Sequence, residues 1–346
     1  MGIFSLTQEL AIDLGTANTL IIYNGKVVVD EPSIVALDVH TGKLVAIGHQ
    51  AHQMHERTNP NIKTIRPLKD GVIADFNATE LMLRGMIKKV KTSGSLFAPS
   101  LRMVICIPSG STNVEIRAVR DSAEHAGGRE VYMIYEPMAA ALGAGLDVEA
   151  PEGNMVIDIG GGTSDIAVIS LSGVVESSSI KIAGDQFNEA VVKYMRRKHN
   201  LLVGERTAEE MKKQIGCVFP PEEEMTMEVK GRSLITGLPE LISVSSAEML
   251  EAFEEPVERI MEEVHLVLEK TPPELVADIS NNGIVMTGGG SLVRGFDKLV
   301  TARTGIHAMV AENAIQCVAE GTGRSLDSIQ DMQDGTMNLS RRKQIN

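Results

Sequence analysis

The 346-residue sequence contains no tryptophan, only 4 tyrosines and 7 phenylalanines, and 3 cysteines. Cys106, Cys217 and Cys317 lie far apart and form no CxxC pair. Because disulfide frameworks and zinc sites need paired or closely spaced cysteines, this odd and scattered set indicates neither. We therefore expect a cytosolic protein.

The sequence also lacks a long apolar run and an excess of basic residues. No stretch approaches the roughly 20 apolar residues of a membrane-spanning helix. No Lys or Arg precedes the short apolar segment at residues 1–6, which argues against a secretory signal. The formal net charge is −13. Since binding to nucleic-acid phosphates needs a basic surface, we expect no nucleic-acid partner.

Two common nucleotide-binding motifs are absent as well. The sequence has no GxxxxGK[ST] loop, which excludes a P-loop site, and no GxGxxG after its first predicted strand, which disfavours a dinucleotide-binding fold. Any phosphate site must therefore be built in another way.

What is present is the composition of a globular α/β protein, with 43% hydrophobic and 23% charged residues and 32 glycines. The length suggests about two domains. Residues 10–22 and 154–171 share one pattern, in which an apolar strand runs into Asp, an apolar residue and glycine before an apolar strand resumes. This repeat predicts an internal duplication, with two related domains facing one another across a cleft.

The first copy of the repeat carries DLGTANT, residues 13–19. Gly15 allows the backbone to approach a phosphate, and the polar side chains that follow supply hydrogen-bond donors, namely Thr16, Asn18 and Thr19. Asp13 is suited to holding a hydrated magnesium ion. The alternative interpretation is an ordinary hairpin turn.

The second copy carries DIGGGTSD, residues 158–165. Its three successive glycines permit positive φ and leave backbone N–H groups free for a γ-phosphate, flanked by Asp158 and Thr163. A third segment, TGGGSLVRG at residues 287–295, ends a predicted strand in glycines at a helix start, where an adenosine can lie on exposed backbone.

The ordered set DLGTANT, YEPMAAALG, DIGGGTSD and TGGGSLVRG resembles the actin, sugar-kinase and heat-shock ATPase superfamily. Within it, residues 9–323 resemble the MreB family through IDLGTANTL, DEPS, RPLKDGVIADF, EPMAAALGAGL and TPPELVADI. The resemblance implies an actin-like α/β fold, a duplicated ribonuclease H-like arrangement of two domains around a nucleotide cleft, each with a small inserted subdomain. It implies this division: residues 1–32, 66–150 and 318–346 as subdomain IA, 33–65 as IB, 151–186 and 255–317 as IIA, and 187–254 as IIB.

The resemblance also implies the site residues. Phosphate contacts are expected from Gly15, Thr16, Ala17, Asn18, Gly160, Gly161, Gly162 and Thr163. Contacts with the adenosine are expected from Glu209, Glu210, Met211, Lys212, Lys213, Gly289, Gly290, Ser291 and Leu292. Glu136 would orient the attacking water with help from Thr163, and Asp13 and Asp158 would hold Mg²⁺ through water. On pattern alone, Glu136 is equally a helix N-terminal carboxylate.

Five apolar residues suggest a membrane contact: Ile3, Phe4, Leu6, Leu96 and Phe97. The last two follow the basic stretch KKVK, which suits anionic lipid, whereas the alternative is that all five pack against the protein core. By resemblance we expect a cytoplasmic protein, peripheral at the inner face of the cell membrane. There it would bind ATP or ADP with Mg²⁺ and hydrolyse ATP slowly.

The same resemblance implies self-assembly into filaments of paired protofilaments, with membrane proteins of cell-wall synthesis as partners. Such a filament would direct cell-wall synthesis and maintain a rod shape. One alternative is a non-polymerising ATPase of the superfamily, either chaperone-like or a small-molecule kinase. The other is a scaffold that binds nucleotide without turnover.

Overall fold

The structure is a computed structural model, and it describes residues 7–90, 100–328 and 336–338. The strands are β1 (Thr7–Leu14), β2 (Asn18–Tyr23), β3 (Lys26–Pro32), β4 (Val35–Asp38), β5 (Leu44–Ile47), β6 (Ile62–Ile65), β7 (Leu68–Lys69), β8 (Val72–Ile73), β9 (Ser100–Ile107), β10 (Gly128–Tyr135), β11 (Asn154–Ile159), β12 (Ser164–Ser170), β13 (Gly173–Ile180), β14 (Leu201–Leu202), β15 (Thr226–Ser233), β16 (Pro239–Ser245), β17 (Ile284–Thr287), β18 (Ala308–Val310) and β19 (Thr336–Asn338).

The α-helices are α1 (Gly48–Met54), α2 (Phe76–Ile87), α3 (Asn113–His125), α4 (Glu136–Gly143), α5 (Gly184–His199), α6 (Glu205–Ile215), α7 (Ser246–Lys270), α8 (Pro273–Asn282), α9 (Phe296–Thr304) and α10 (Cys317–Ser328). A short 3₁₀ helix spans Gly289–Leu292. In the part of the chain that the structure describes, no helix combines the length and the apolar character needed to cross a bilayer.

Two large sheets repeat one topology. The first has the strand order β19-β10-β9-β1-β2-β3 and the second β13-β12-β11-β17-β18. In both, three consecutive strands form antiparallel hairpins, and the first of the three pairs in parallel with a later strand, β9 or β17. The second sheet therefore matches the first strand for strand, apart from β19. The duplication predicted from the two glycine-containing repeats is confirmed.

Both faces of the second sheet are covered, which explains why its central strands have no polar face. Every residue of β11 and β12 is buried. Ile157 belongs to the apolar cluster that includes Phe253 of α7, whereas its neighbour Val156 belongs to the cluster of α4 with Ala140. Alternate residues of a strand point to opposite faces, so a sheet between two helical layers needs apolar residues at successive positions.

Two helices cross closely at the base of the cleft. In α4, a Cβ atom on Gly143 would overlap the backbone of Cys317, the first residue of α10. A Cβ atom on Gly321 of α10 would likewise overlap the backbone of Ala139. Only glycine permits this backbone approach. Helix α4 also contacts β11 and β12 of the second sheet, so it connects the two halves of the molecule.

Two small three-stranded sheets stand apart from the large ones. Strands β4, β5 and β6 lie within residues 33–65, and β14, β15 and β16 lie within residues 187–254. These are the segments predicted to be insertions, although the subdomain boundaries themselves stay predictions. Below, domain I means residues 7–150 and 317–328, and domain II means residues 151–316. The predicted membrane residues, Ile3, Phe4, Leu6, Leu96 and Phe97, lie outside the described residues.

Candidate active site

A cavity of about 490 Å³ lies between the two domains. This volume is typical of small-ligand sites. Its walls are Asp13, Leu14, Gly15, Thr16, Ala17, Asn18, Leu20, Gly71 and Glu136 of domain I, with Asp158, Gly160, Gly161, Gly162, Thr163, Glu209, Lys212, Lys213, Gly288, Gly289, Gly290, Leu292, Val293 and Ile315 of domain II, and Val318 of α10. Most of the predicted site residues are therefore brought together.

The two glycine-containing turns face each other across this cavity. A Cβ atom on Gly161 would lie 2.7 Å from the Cβ of Ala17, and one on Gly162 would lie 2.8 Å from the backbone N of Gly71. Gly160, Gly161 and Gly162 do not use the positive φ that glycine permits. At Gly161 and Gly162, glycine is needed because turns of the two domains approach too closely for a side chain.

Gly71 was not predicted as a site residue. It lies in the turn between β7 and β8, where Asp70 has φ of 51° and Gly71 of 75°. Its backbone N–H donates to Thr16 Oγ1 at 2.9 Å, which connects this turn to the first glycine-containing loop. The Asp-Gly dipeptide between two apolar stretches is a hairpin signal. It marks the turn but does not reveal that the turn reaches the cavity.

Two aspartates lie at the floor of the cavity. Burial raises the pKa of Asp13 to about 6, although its Oδ1 accepts a hydrogen bond from Cys106 Sγ at 3.2 Å. Burial raises the pKa of Asp158 to about 7, against the effect of Thr287 Oγ1, which donates to Asp158 Oδ1 at 2.6 Å. Each carboxylate is positioned by a neighbouring side chain, but among the residues that the structure describes neither forms an ion pair that would balance its charge.

Glu136 begins α4 and is only 9% exposed. Burial raises its pKa well above the usual value, and the charges of Asp165, Asp158 and Asp13 raise it further. Burial also raises the pKa of Asp165, whose Oδ1 accepts hydrogen bonds from the backbone N and the Oγ of Ser109 at 2.8 and 2.7 Å. The floor therefore concentrates acidic groups that favour a bound cation.

These acids fit a magnesium ion held through water. Among residues 7–90, 100–328 and 336–338, no group of three or more His, Cys, Asp or Glu side chains could hold a metal ion directly. Mg²⁺ commonly keeps several waters and binds through one or two carboxylates together with substrate phosphates. Asp13 and Asp158 lie on opposite domains and form no ion pair with any described residue, so they are arranged for that mode.

Two of the five α6 residues predicted to contact the adenosine do not line the cavity. Glu209, Lys212 and Lys213 line the cavity. In contrast, Met211 is buried in the domain II core, and Glu210 is exposed and pairs with Arg206 at 3.2 Å. With 3.6 residues per turn, positions 210 and 211 must point away from the face that carries 209, 212 and 213.

Two cations of α6 carry the charge of this wall. Burial lowers the pKa of Lys212, whose Nζ donates to the carbonyl of Gly184 at 3.0 Å. Burial alone would raise the pKa of Glu209, but the hydrogen bond and charge of Lys213, 2.7 Å away, leave it lowered. Glu209 and Lys213 therefore give the rim of the cavity a hydrogen-bond acceptor and a hydrogen-bond donor for a polar ligand.

The 3₁₀ turn after β17 forms the remaining wall. Gly289, Gly290 and Leu292 line the cavity as predicted, but Ser291 does not. Ser291 is buried and its Oγ donates to the carbonyl of Gly288 at 2.7 Å, so it stabilises the turn. Apolar residues that the sequence analysis missed also line the cavity, namely Leu14, Leu20, Val293, Ile315 and Val318. They provide a surface for a flat ring.

Comparison with known proteins agrees with this arrangement. A family profile described as MreB/Mbl protein matches residues 7–334. The chain belongs to the MreB/Mbl family. It is 51% identical over 341 residues to the cell shape-determining protein MreB of Escherichia coli K12, covering 97% of each chain. It is 49% identical over 323 residues to the cell shape-determining protein Mbl of Bacillus subtilis 168, covering 93% of this chain and 96% of the relative.

Solved structures of the family share the fold. MreB5 of Spiroplasma citri bound to ADP is 37% identical and superposes with a TM-score of 0.88, covering 94% of this chain and 98% of that one. The same protein bound to AMPPNP gives the same identity and TM-score. The predicted actin-like fold of two α/β domains is thus confirmed, and so is the predicted membership of the MreB/Mbl family.

Proposed function

We propose that this MreB/Mbl chain binds ATP between its domains, hydrolyses it slowly and assembles into filaments. The observation that carries the proposal is the contact of Gly161 and Gly162 with residues 16, 17 and 71 above a floor of buried acids. A ligand held between turns of two different domains draws the domains together. Binding of a nucleotide in MreB5 of Spiroplasma citri supports the choice of ligand.

Each wall has a separate task in this proposal. Backbone N–H groups of the two glycine loops bind the phosphates, and the α6 face with the 3₁₀ turn binds the adenosine. Glu136 orients the attacking water, with Thr163 beside it in the cavity, and its raised pKa suits it to accept a proton. Asp13 and Asp158 would hold Mg²⁺ through water, and that ion would neutralise phosphate charge.

Self-assembly is supported by an exposed apolar surface at the end of the β15–β16 hairpin. Leu234, Ile235, Leu238 and Leu241 are 44%, 79%, 65% and 58% exposed. Soluble monomers seldom present several large apolar side chains side by side. The names of the curated relatives support a role in cell shape, so we propose that the filament directs cell-wall synthesis and maintains a rod shape, with membrane proteins of that process as partners.

We further propose that the protein is cytoplasmic and peripheral at the inner face of the cell membrane. Ile3, Phe4, Leu6, Leu96 and Phe97 would supply the contact. Burying such a side chain contributes roughly 1.5–3 kcal/mol, so one subunit binds weakly after the cost of association. A filament carries many copies of the anchor and multiplies a weak affinity.

Sedimentation with ATP and Mg²⁺, with and without anionic liposomes, tests assembly and membrane binding together. We expect ATP-dependent pelleting of the wild type in both conditions. The double variant Leu96→Ser, Phe97→Ser should keep the lipid-free pellet and lose the extra lipid-bound fraction. Leu171→Ser, which alters an exposed apolar residue in the β12–β13 turn, is the control and should behave as wild type.

A soluble monomer in every condition would contradict the filament and leave the non-polymerising ATPase. Lipid binding that survives the double variant would contradict the assignment of the anchor to residues 96 and 97.

A further inference from the structure

A second cavity, of about 460 Å³, lies between the two domains beside the nucleotide cleft. Domain I contributes Arg66, Leu68, Lys69 and Asp70. Domain II contributes the N-terminal part of α5 and the first residue of α6, through Asp185, Gln186, Asn188, Glu189, Val192, Lys193 and Glu205. The proposed function leaves this cavity without a role.

One buried polar group in this cavity has no partner. Asn188 lines the cavity and is only 5% exposed, and its Oδ1 accepts no hydrogen bond within the described part of the chain. A buried acceptor without a donor is costly, and native structures keep few of them. Its position on the cavity wall indicates that a bound molecule supplies the donor.

The charges on the walls define what kind of molecule fits. Asp185 and Glu205 are both engaged by the guanidinium of Arg66. From the described residues, the side chain of Asp70 receives only a long hydrogen bond, from Gln186 Nε2 at 3.4 Å. At the rim, Glu189 is 3.9 Å from Lys193, and both side chains are well exposed. Asp70 is therefore available to a positively charged ligand, and Asn188 to an N–H donor.

The second cavity is joined to the nucleotide cleft by short connections on both domains. Asp70 lines the second cavity while the next residue, Gly71, lines the nucleotide cavity and donates to Thr16. On the other domain, the side chain of Asp185 lines the second cavity while its backbone N–H donates to the carbonyl of Gly161 at 2.8 Å. A ligand that moves either wall therefore also moves a phosphate loop.

We propose that this cavity is an effector site for a small organic cation that carries N–H donors, such as an amine or a guanidinium compound. Because the ligand contacts both domains, it stabilises the closed cleft and slows nucleotide release. The coupling to nucleotide rests on the proposed function, whereas binding of the cation does not.

Binding is tested on the full-length protein by equilibrium dialysis with radiolabelled agmatine at constant ionic strength. We expect saturable binding of one molecule per chain. Choline, a cation without N–H donors, should not compete. Asp70→Asn removes the negative charge, and asparagine tolerates the positive φ of this turn as aspartate does. Asn188→Leu removes the unpaired hydrogen-bond acceptor. Each should weaken binding at least roughly tenfold, whereas Glu258→Gln, an exposed acid of α7, should bind as wild type.

Absence of saturable binding would overturn the proposal, as would full competition by choline or wild-type affinity in both cavity variants. Asp70→Asn keeps the test decisive should Asn188→Leu fail to fold, because it alters a turn rather than the core.

Coupling is tested by the release rate of a fluorescent ADP analogue with and without saturating agmatine. We expect release to slow by about fivefold or more. Agmatine should also tighten the equilibrium binding of ADP, and ADP should tighten agmatine binding by the same factor as agmatine tightens ADP binding. Agmatine binding without this reciprocal effect would contradict the effector role. If agmatine binds but ADP does not, the proposed function fails; if ADP binds but agmatine does not, only the present inference fails.

Discussion

Arg66 is predicted to hold the nucleotide cleft closed. Its guanidinium, on the domain I side, donates to both carboxylate oxygens of Asp185 at 3.1 and 3.2 Å and forms a short ion pair with Glu205. Both acids lie at helix starts of domain II. Opening the cleft must break these contacts, because they are made between the domains. Arg66→Ala should therefore favour the open form.

The size of the effect follows from burial. The side chains of Arg66 and Asp185 are 26% and 21% exposed, and that of Glu205 is 39% exposed. Charge-assisted hydrogen bonds contribute about 1.5–3 kcal/mol each when well shielded. Partial screening reduces the contribution here, so we expect about 1.5–3 kcal/mol for the whole arrangement. Since 1.4 kcal/mol is about a factor of ten, nucleotide release should accelerate about 10- to 100-fold.

The assay is stopped-flow release of a fluorescent ADP analogue, with thermal unfolding as a check on the fold. Arg303→Ala is the matched control, because Arg303 makes an equally direct pair with Glu258, at 2.7 and 2.8 Å, inside one domain. That pair is exposed and does not span the cleft, so release should stay at the wild-type rate. Wild-type release from a folded Arg66→Ala protein, or equal acceleration by both variants, would refute the reasoning.

Three further predictions concern the cleft itself. Glu136→Gln should slow phosphate release about 10²- to 10⁴-fold, because it removes the base near the attacking water, while ATP affinity in a filter-binding assay changes little. Gly162→Ala should weaken ATP binding at least roughly tenfold, because the added Cβ would overlap Thr16. Gly160→Ala is the control in the same ATP-binding titration, because its added Cβ would lie 3.4 Å from the nearest atom. Asp158→Asn should raise the free energy of unfolding of the nucleotide-free protein more at about pH 8 than at about pH 5.

The sign of the Asp158 prediction follows from its raised pKa of about 7. A raised carboxyl pKa stabilises the folded protein at low pH, and this contribution is lost as pH rises through the folded-state value. Urea unfolding at the two pH values measures it. An equal effect of Asp158→Asn at both pH values would contradict the raised pKa.

Unchanged phosphate release in Glu136→Gln would contradict the role given to Glu136. Equal ATP binding by the Gly162→Ala and Gly160→Ala variants would contradict the role given to Gly162.

Local sequence predicted the two glycine-containing loops that line the cavity, because each loop is a short turn between two apolar strands. Their contacts with phosphate stay predictions. The duplication was visible for the same reason, since two turns with Asp, an apolar residue and Gly recur at residues 13–15 and 158–160. The close packing of Gly161 and Gly162 against the other domain was not predicted. Their need for close approach depends on a turn from the other domain, and no local pattern contains that information.

The parts that sequence missed depend on contacts between distant residues. Gly71 reaches Thr16 across 55 positions, and Arg66 reaches Glu205 across 139. The error at Glu210 and Met211 was avoidable, because helix periodicity separates them from Glu209 and Lys212. The apolar wall with Ile315 and Val318 had no such signal, because isolated apolar residues near a helix start usually indicate a core.

The central claim is that nucleotide hydrolysis in the cleft accompanies self-assembly. Phosphate release per subunit and pelleted protein should therefore be measured together over a range of protein concentrations, with ATP and Mg²⁺. We predict a critical concentration above which turnover per subunit and pelleted mass rise together, with Glu136→Gln pelleting without release of phosphate. Turnover per subunit that is independent of concentration, with no pellet, would contradict the account and favour a non-polymerising ATPase.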